Sequence, residues 1–496
     1  MRASGILLPV SSLPSKYGIG CFSEEAYEFV DQLARAGQKY WQILPLGPTG
    51  YGDSPYQSFS TYAGNPYFID LNTLIEEGVL TKKECNLADF GSDSRFIDYG
   101  KLYKARYKLL RKAYERSNIS QNPEFQTFQE ENAWWLDDYS LFMAVKGFFQ
   151  DECWDKWPED IKKRYGYALD YYREQLYFEI EFQKYMQFEF SIQWKKLKTY
   201  ANENGIRIIG DIPIYVAYDS ADTWAHPELF QLDEENVPLA VAGCPPDGFA
   251  ADGQLWGNPL YRWDYHRQTG YAWWMQRLSY AFYLYDVVRI DHFRGFDEYF
   301  SIPYGDTTAR NGHWEKGPGI ELFHRMKEVL GERDVIAEDL GYVTDSVRQM
   351  VFESGFPGMK VFEFAFDSRD TGCAGDYLPH NYPVNSVVYT GTHDNATLIG
   401  WYQDIPKEGR EMLRDYIHDY TTSDRSLHWS VICRVMGSPA RICMIPMQDY
   451  LGLNNTCRIN TPSTLGTNWK WRLLDGEFTS DLQNKIKKLV RIYQRN

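Results

Sequence analysis

Short apolar runs alternate with longer amphipathic segments along most of the chain. Segment 23–37 has the spacing of a surface helix, with Ser23 and two glutamates at its start and Gly37 at its end. Similar patterns at 271–285 and 408–420 predict two more helices. Eight runs have the length and the β-branched, apolar content of strands, and these cover residues 5–10, 40–46, 206–216, 286–291, 334–339, 359–366, 385–394 and 441–447.

The order of these elements favours an α/β fold. Near-continuous apolar strands separated by helices are typical of a parallel sheet that is covered on both faces. Eight is the strand number of a closed (β/α)8 TIM barrel. An open doubly wound sheet remains the alternative, because it requires no particular number of strands. We therefore expect a (β/α)8 barrel, with the open sheet as its rival.

Two gaps between predicted strands, 47–175 and 217–270, are too long for plain crossovers. The first contains helical stretches rich in Trp and Tyr, and the second contains a Pro- and Gly-rich loop. We expect one catalytic barrel spanning 1–496, with a mainly helical insertion at 71–175 between strands 2 and 3. The insertion at 217–270, between strands 3 and 4, is expected to carry an active-site loop.

Charge and composition narrow the possible partners. The 496 residues include 68 Asp and Glu against 52 Lys and Arg, a net charge of −16. Such a chain repels phosphate backbones and anionic lipid, so we expect neither nucleic acid nor a membrane as partner, and protein partners are left open. The 38 Tyr and 16 Trp fit either a large aromatic core or stacking on the C–H faces of sugars.

The cysteines and the hydropathy pattern indicate the cellular compartment in which the protein works. Eight cysteines are scattered without a CxxC pair, and no segment resembles a signal peptide. No run approaches the roughly 18 apolar residues that a membrane helix needs. We expect reduced thiols in a cytoplasmic protein.

Acidic residues stand where four of the predicted strands end. A single strand-end Asp is most often a turn residue or a helix N-cap. In a parallel barrel, however, all such ends converge on one face, so several acids would share one pocket. The strand-end acids, with one adjacent histidine, are Asp211, Asp291, Glu338, Asp339, His393 and Asp394.

Clustered carboxylates have two common uses. They bind divalent cations through oxygen, or they perform acid, base and nucleophilic steps on an acetal. The sequence has no EF-hand loop, no HExxH and no close His pair. We therefore expect no metal and no cofactor, and we keep a metal-dependent barrel lyase as an alternative.

Arg289 lies inside an apolar strand, where an unpaired charge is costly. It precedes Asp291 by two residues, so both side chains point to the same face of the strand. A neighbouring guanidinium would keep the carboxylate ionised, as a nucleophile requires. A purely structural ion pair is the competing interpretation.

At this point several long motifs resemble those of amylomaltases, the disproportionating 4-α-glucanotransferases of the α-amylase clan. The resemblance extends from residue 5 to about residue 472, and it implies a (β/α)8 barrel with inserted subdomains and no separate C-terminal β-domain. The motifs are RIDHFRGF (289–296), AEDLG (337–341), GTHDN (391–395), GILLPVSSLPSKYGIG (5–20), GYGDSPYQSFSTYAGNPYFIDL (50–71), GDIPIYVAYDSADTW (210–224), GQLWGNPLYRW (253–263) and RINTPSTLGTNWKWR (458–472).

The resemblance also implies roles for individual residues. Asp291 would be the nucleophile, Glu338 the general acid/base and Asp394 the group that stabilises the transition state. The loop CPPDGF (244–249) resembles a flap over the cleft, with Gly248 before Phe249. The residues expected to bind substrate are Arg289, His393, Tyr56, Ser54, Asp211, Phe249, Gln254, Trp256, Asn258, Asp367 and Asn460.

The implied reaction moves an α-1,4-glucan segment from a maltodextrin or starch donor to the 4-hydroxyl of glucose or another glucan. Maltose, maltotriose and longer maltodextrins would be donors. The transfer would pass through a covalent glycosyl-enzyme on an aspartate, with net retention. A hydrolase of the same clan and a non-catalytic glucan-binding protein are the alternatives, and the intact carboxylates argue against the second.

Overall fold

A computed structural model describes residues 2–50, 52–246, 251–341, 343–366 and 374–496. Strands in these ranges fall into two sheets, one of them closed. In chain order the strands of the described residues are β1 (Ala3–Leu7), β2 (Tyr40–Gln42), β3 (Arg207–Ile212), β4 (Ala240–Cys244), β5 (Gln254–Pro259), β6 (Val287–Ile290), β7 (Glu298–Pro303), β8 (His313–Lys316), β9 (Val335–Ala337), β10 (Gly358–Val361), β11 (Ser386–Tyr389) and β12 (Ile442–Pro446).

The closed sheet is a parallel barrel with the strand order β1-β12-β11-β10-β9-β6-β3-β2. Each of the eight strand runs predicted from the sequence overlaps one barrel strand. The first and last strands close the cylinder, with Ala3 paired to Ile442 and Leu7 to Pro446. The predicted (β/α)8 barrel is confirmed, and closure excludes the open doubly wound sheet.

Alternate residues of each barrel strand face opposite apolar environments. On β6, Val287 packs inside the barrel, whereas Val288 and Ile290 pack outward against the helices. On β12, Met444 lies inside and Ile445 outside. Both faces are therefore buried, which explains why the strands are apolar without polar alternation.

Helices surround the barrel, and those predicted at 23–37, 271–285 and 408–420 are present as α1, α11 and α15. The side chain of Ser23, at the N-cap of α1, donates to Glu25 in the first turn. The helices of the described residues are α1 (Glu24–Arg35), α2 (Leu71–Glu76), α3 (Lys82–Leu87), α4 (Tyr99–Ser117), α5 (Pro123–Phe148), α6 (Glu159–Lys162), α7 (Gly166–Gln175), α8 (Tyr177–Glu203), α9 (Ala221–Ala225), α10 (Trp263–Gln268), α11 (Ala272–Leu284), α12 (Ile320–Leu330), α13 (Asp345–Ser354), α14 (Leu398–Asp404), α15 (Lys407–Ile417), α16 (Leu427–Met436), α17 (Met447–Leu451) and α18 (Ser480–Ile492).

The long connection between β2 and β3 contains α2 to α8. Its two longest helices, α5 and α8, have 26 and 27 residues and pack along each other. An aromatic cluster that includes Trp135, Trp154, Trp157 and Trp224 forms a second core between this connection and α9. Four of the 16 tryptophans therefore lie in this second core.

The second sheet is antiparallel, with the order β5-β4-β7-β8. Strands β4 and β5 belong to the connection between β3 and β6, whereas β7 and β8 follow β6. Val241 of β4 pairs with Ile302 of β7. The connections on both sides of the Asp291 strand thus build one wall, an arrangement that the sequence did not predict.

Two further observations concern the described residues as a whole. Seven cysteines in these ranges are free thiols. None of the helices found there is both long enough and apolar enough to cross a lipid bilayer.

Candidate active site

The alternation within β3 and β6 brings three charged side chains to the inner face of the barrel at its carboxyl end. The guanidinium of Arg289 is only 4% exposed and lies between two carboxylates. Its Nη1 is 2.6 Å from Asp211 Oδ2, and its Nη2 is 2.9 Å from Asp291 Oδ1. The same-face prediction for Arg289 and Asp291 is confirmed, and the buried arginine is paired on both sides.

Asp211 forms the floor below this arginine. Its side chain has no exposed surface, and Oδ2 also accepts a hydrogen bond of 2.7 Å from the hydroxyl of Tyr56. The ring of Tyr56 in turn stacks on His393, with centroids 5.1 Å apart and planes 15° from parallel. Asp211 therefore touches Tyr56 and Arg289 from beneath and does not face the open cleft.

Glu338 follows β9 and is held by the main chain. Its Oε2 accepts the N–H of His292 at 2.7 Å, and its Oε1 accepts the N–H of Leu340 at 2.8 Å. His292 has a φ of 52°, in the left-handed region, which is uncommon for a residue other than glycine. The turn at His292, directly after Asp291, points the main-chain N–H of His292 at Glu338. The position of Glu338 is therefore tied to the residue that follows Asp291.

Asp291 and Glu338 share one electrostatic environment. Burial raises the pKa of both carboxyl groups, and the charge of Asp291 raises the pKa of Glu338 further. Arg289 opposes the rise, and it contacts Asp291 directly at 2.9 Å. Because Arg289 contacts Asp291 and not Glu338, it favours ionisation of Asp291 over ionisation of Glu338.

Asp394 has a different environment at the end of β11. Burial raises its pKa, but the charge and hydrogen bond of His393 and the amide of Asn460 outweigh burial and bring it to about 2. His393 Nε2 lies 3.2 Å from Oδ2, and Asn460 Nδ2 donates to Oδ1 at 2.7 Å. The pKa of His393 is raised, because the attraction of Asp394 exceeds the effect of burial. With 44% of its side chain exposed, Asp394 is an ionised group facing the cleft.

Aromatic rings flank the carboxylates on two sides. Tyr56, His393 and Trp469 form a cluster with centroid distances of 5.1 to 6.1 Å. On the opposite side, Trp256 meets the ring of His292 edge-on at 4.8 Å, and its indole N–H donates to Gln254 at 3.1 Å. The partly exposed rings of Tyr56 and Trp256, close to carboxylates, suit a neutral ligand with C–H faces, such as a sugar.

The remaining predicted binding residues lie in the surrounding loops. Ser54 Oγ accepts the N–H of Tyr56 at 3.3 Å, so it shapes the turn that presents that tyrosine. Asn258 is 5% exposed and donates to the carbonyl of Val216 at 2.7 Å. Phe249, together with the flap around Gly248, and Asp367 lie outside the described residues.

Four residues that the sequence did not identify belong to the same network. Arg458 donates to the main-chain carbonyls of Asp394 and Asn460, and so holds two loops together. Gln57 donates to Asn258 at 3.1 Å. All four residues lie within the quoted motifs 50–71, 289–296 and 458–472, and this was the only signal for them.

The arrangement of His, Cys, Asp and Glu side chains shows whether the site could bind a metal ion. Among the residues that the structure describes, no group of three or more His, Cys, Asp or Glu side chains has an arrangement that could hold a metal ion. The carboxylates at the barrel mouth are instead satisfied by Arg289, His393, Asn460 and main-chain N–H groups.

Two neighbouring carboxyl groups in unequal electrostatic settings, at the mouth of a (β/α)8 barrel, are typical of enzymes that cleave or transfer glycosidic bonds. A family model described as 4-alpha-glucanotransferase matches residues 8–477. The chain belongs to the 4-alpha-glucanotransferase family. The resemblance drawn from the sequence motifs and the prediction of a glucanotransferase are thereby confirmed.

Individual relatives agree over the whole chain. A 4-alpha-glucanotransferase of Clostridium butyricum is 50% identical over 488 residues, which are 98% of this chain and 99% of that protein. One of Streptococcus pneumoniae is 47% identical and covers 100% of this chain and 97% of its own. A solved structure of the amylomaltase from Streptococcus agalactiae in complex with acarbose has a TM-score of 0.96 at 40% identity, with both chains fully covered.

Proposed function

We propose that this chain is a retaining 4-α-glucanotransferase in which Asp291 is the nucleophile and Glu338 the general acid/base. The observation that carries the proposal is the unequal environment of the two carboxyl groups. Arg289 contacts Asp291, whereas Glu338 is buried beside the negative charge of Asp291, and both of these conditions raise the pKa of Glu338. One group is suited to attack and the other to hold and release a proton.

In the first half-reaction, a carboxylate oxygen of Asp291 attacks the anomeric carbon of the donor glucan. The bond from that carbon to the glycosidic oxygen breaks, and Glu338 gives its proton to the departing 4-oxygen. The products are a glycosyl-enzyme ester on Asp291 and a shortened glucan with a free hydroxyl. Positive charge builds up on the sugar ring meanwhile, and the ionised Asp394 stabilises it while gripping ring hydroxyls.

In the second half-reaction, the 4-hydroxyl of an acceptor replaces the first leaving group. Glu338, now ionised, removes the hydroxyl proton as the new glycosidic bond forms, and Asp291 leaves as a carboxylate. Two inversions at the same carbon give net retention. Glu338 returns to its protonated form, so the cycle needs no cofactor and no metal.

The other predicted residues have supporting roles in this proposal. Tyr56, Trp256 and the rings beside them form stacking surfaces for glucosyl units. Because Asp211 is fully buried, it orients Tyr56 and Arg289. The sequence-based assignments of Ser54, Gln254, Asn258 and Asn460 to substrate binding are retained as part of the proposal, as are those of Phe249 and Asp367, which lie outside the described residues.

The proposed substrates are maltose, maltotriose and longer maltodextrins as donors, with glucose or another α-1,4-glucan as acceptor. We treat 1–496 as one catalytic unit in which the insertions at 71–175 and 217–270 form walls of the cleft. The seven free thiols support a cytoplasmic location.

Incubation with maltotriose alone tests the proposal. Transfer predicts glucose together with a ladder of maltodextrins longer than three units, while the total number of reducing ends stays constant. A rise in reducing ends with only shorter products would identify a hydrolase. Binding of maltotriose without any product would identify a glucan-binding protein.

A further inference from the structure

A buried carboxylate outside the catalytic trio joins the two ends of the loop that carries His393 and Asp394. This loop, residues 390–398, leads from β11 into α14. Asp449, in the short helix α17 directly after β12, is 1% exposed. Its Oδ2 accepts the hydroxyl of Thr390 at 2.5 Å, and its Oδ1 accepts the main-chain N–H of Leu398 at 2.7 Å. One side chain therefore ties the first residue of the loop to the last.

The position of Asp449 has an energetic cost that its two hydrogen bonds offset. None of the ion pairs found among the described residues includes it, and burial raises its pKa to about 6. An apolar side chain at this buried site would avoid the cost of desolvation. It would, however, leave the N–H of Leu398 without a partner and would release the end of β11 from the start of α14.

The interior of the loop depends on those fixed ends. Asn395 Oδ1 accepts both the N–H and the hydroxyl of Thr392, and the N–H of Asp394 donates to that hydroxyl at 3.3 Å. This compact turn sets the direction of the Asp394 side chain relative to β11. Asn460 donates a hydrogen bond to the same carboxylate from a separate segment. This hydrogen bond forms only if the Asp394 side chain keeps its position.

We propose that Asp449 is a positioning residue for the reaction, holding loop 390–398 so that Asp394 meets the sugar hydroxyls in the transition state. Asp449 lies beneath the loop and acts through Asp394. The inference therefore rests on the proposed role of Asp394. A carboxylate displaced by about 1 Å costs roughly 100-fold in rate, because it stabilises charge only from the correct place.

Three variants separate positioning from charge and from stability. Asp449→Ala breaks both hydrogen bonds. Asp449→Asn keeps them, because its carbonyl oxygen accepts from Leu398 and its amide donates to the hydroxyl of Thr390. Thr390→Val removes one bond and leaves the aspartate in place. Asp70→Ala is the matched control, because Asp70 is also buried and accepts the N–H and hydroxyl of Thr73, but contacts none of the site residues.

Transfer from maltotriose is measured on the folded fraction of each variant. We expect Asp449→Ala to lower kcat roughly 100-fold with KM within about threefold, since the loss falls on the transition state. Thr390→Val should lower kcat roughly tenfold. Asp449→Asn should lower kcat less than tenfold, because the asparagine side chain keeps the hydrogen bonds with Thr390 and Leu398. Asp70→Ala should keep the parent kcat even where its melting temperature falls.

Several outcomes would overturn the inference. A folded Asp449→Ala with parent kcat would do so, as would Asp449→Asn as slow as the alanine variant, which would make charge the cause. If Asp449→Ala fails to fold, Thr390→Val decides, and parent kcat in that variant refutes positioning. Asp394→Asn is the reference. If it stays active the proposed function fails, whereas an inactive Asp394→Asn beside an active Asp449→Ala refutes only the present inference.

Discussion

The mouths of β6 and β11 carry the same chemical group in opposite settings. At β6 the fold places Asp291 next to a buried Glu338, and burial together with the charge of Asp291 raises the pKa of Glu338, although its two main-chain N–H donors oppose the rise. At β11 it places Asp394 against His393 and the amide of Asn460, and the pKa falls to about 2. A carboxyl group thus becomes an acid beside another carboxylate, or a permanent anion beside a histidine and an amide donor.

The largest effect should come from replacing the group that forms the covalent bond. We expect Asp291→Asn to lower transfer more than about 10³-fold, since an amide cannot form the glycosyl ester. The fold should persist, because the asparagine oxygen can still accept from Arg289. Product formation from maltotriose and a melting curve measure the two properties. Activity within tenfold of the parent would refute the nucleophile assignment.

Glu338→Gln should remove proton transfer while keeping the main-chain hydrogen bonds. We expect both half-reactions to slow by roughly 10² to 10³-fold with glucan donors. A glucosyl fluoride, whose leaving group needs no proton, should restore formation of the glycosyl-enzyme but not its transfer to an acceptor. Rapid-mixing measurement of released fluoride checks this, and equal slowing with both donors would show that Glu338 is not the acid.

Asn460→Ala removes the amide hydrogen bond to Asp394 at the end of β11 and leaves the contacts of Asp291 and Glu338 in place. Loss of a hydrogen bond to an ionised group costs about 2 kcal/mol, or roughly 30-fold in kcat if the bond is needed in the transition state. Asn468→Ala is the matched control. Asn468 is equally buried in the same segment but bonds to Thr461 and Thr464. Equal losses in both variants would assign the effect to the loop and not to Asp394.

The smallest expected effect is a pH dependence. The pKa of Glu338 is raised to about 7, and its protonated form is needed for the first half-reaction. As pH rises through this pKa the acid is lost, and kcat/KM for a glucan donor should fall roughly fivefold between pH 7 and 8. With glucosyl fluoride the decline should be absent. The same decline with both donors would point to a different titrating group.

The barrel was predictable because its strands are local features. Each strand is buried on both faces, so apolar runs mark it directly, and acids at the run ends mark the carboxyl face. Arg289 and Asp291 could be paired from their spacing alone. The sheet of β4, β5, β7 and β8 was missed, because its central pairing joins Val241 to Ile302 and no local pattern reports which distant strands meet.

The support of the site was less predictable than its carboxylates. His292 acts through its main-chain N–H, which no side-chain pattern reveals. Arg458 acts on two carbonyls that only the folded loops bring together. Asp449 lies in a mostly apolar run after β12, where a single acid resembles an ordinary turn residue. Catalytic groups can be recognised from sequence sooner than the groups that position them.

The closure of the barrel between β1 and β12 also has a consequence for the order of events during synthesis. The first strand leaves the ribosome early and keeps an open edge until its partner at Ile442–Pro446 emerges. Asp449, Arg458 and Asn460, which fix the setting of Asp394, are translated later still. A nascent chain therefore carries Asp291 and Glu338 before it has an ordered third carboxylate, and becomes competent only when its final segment docks.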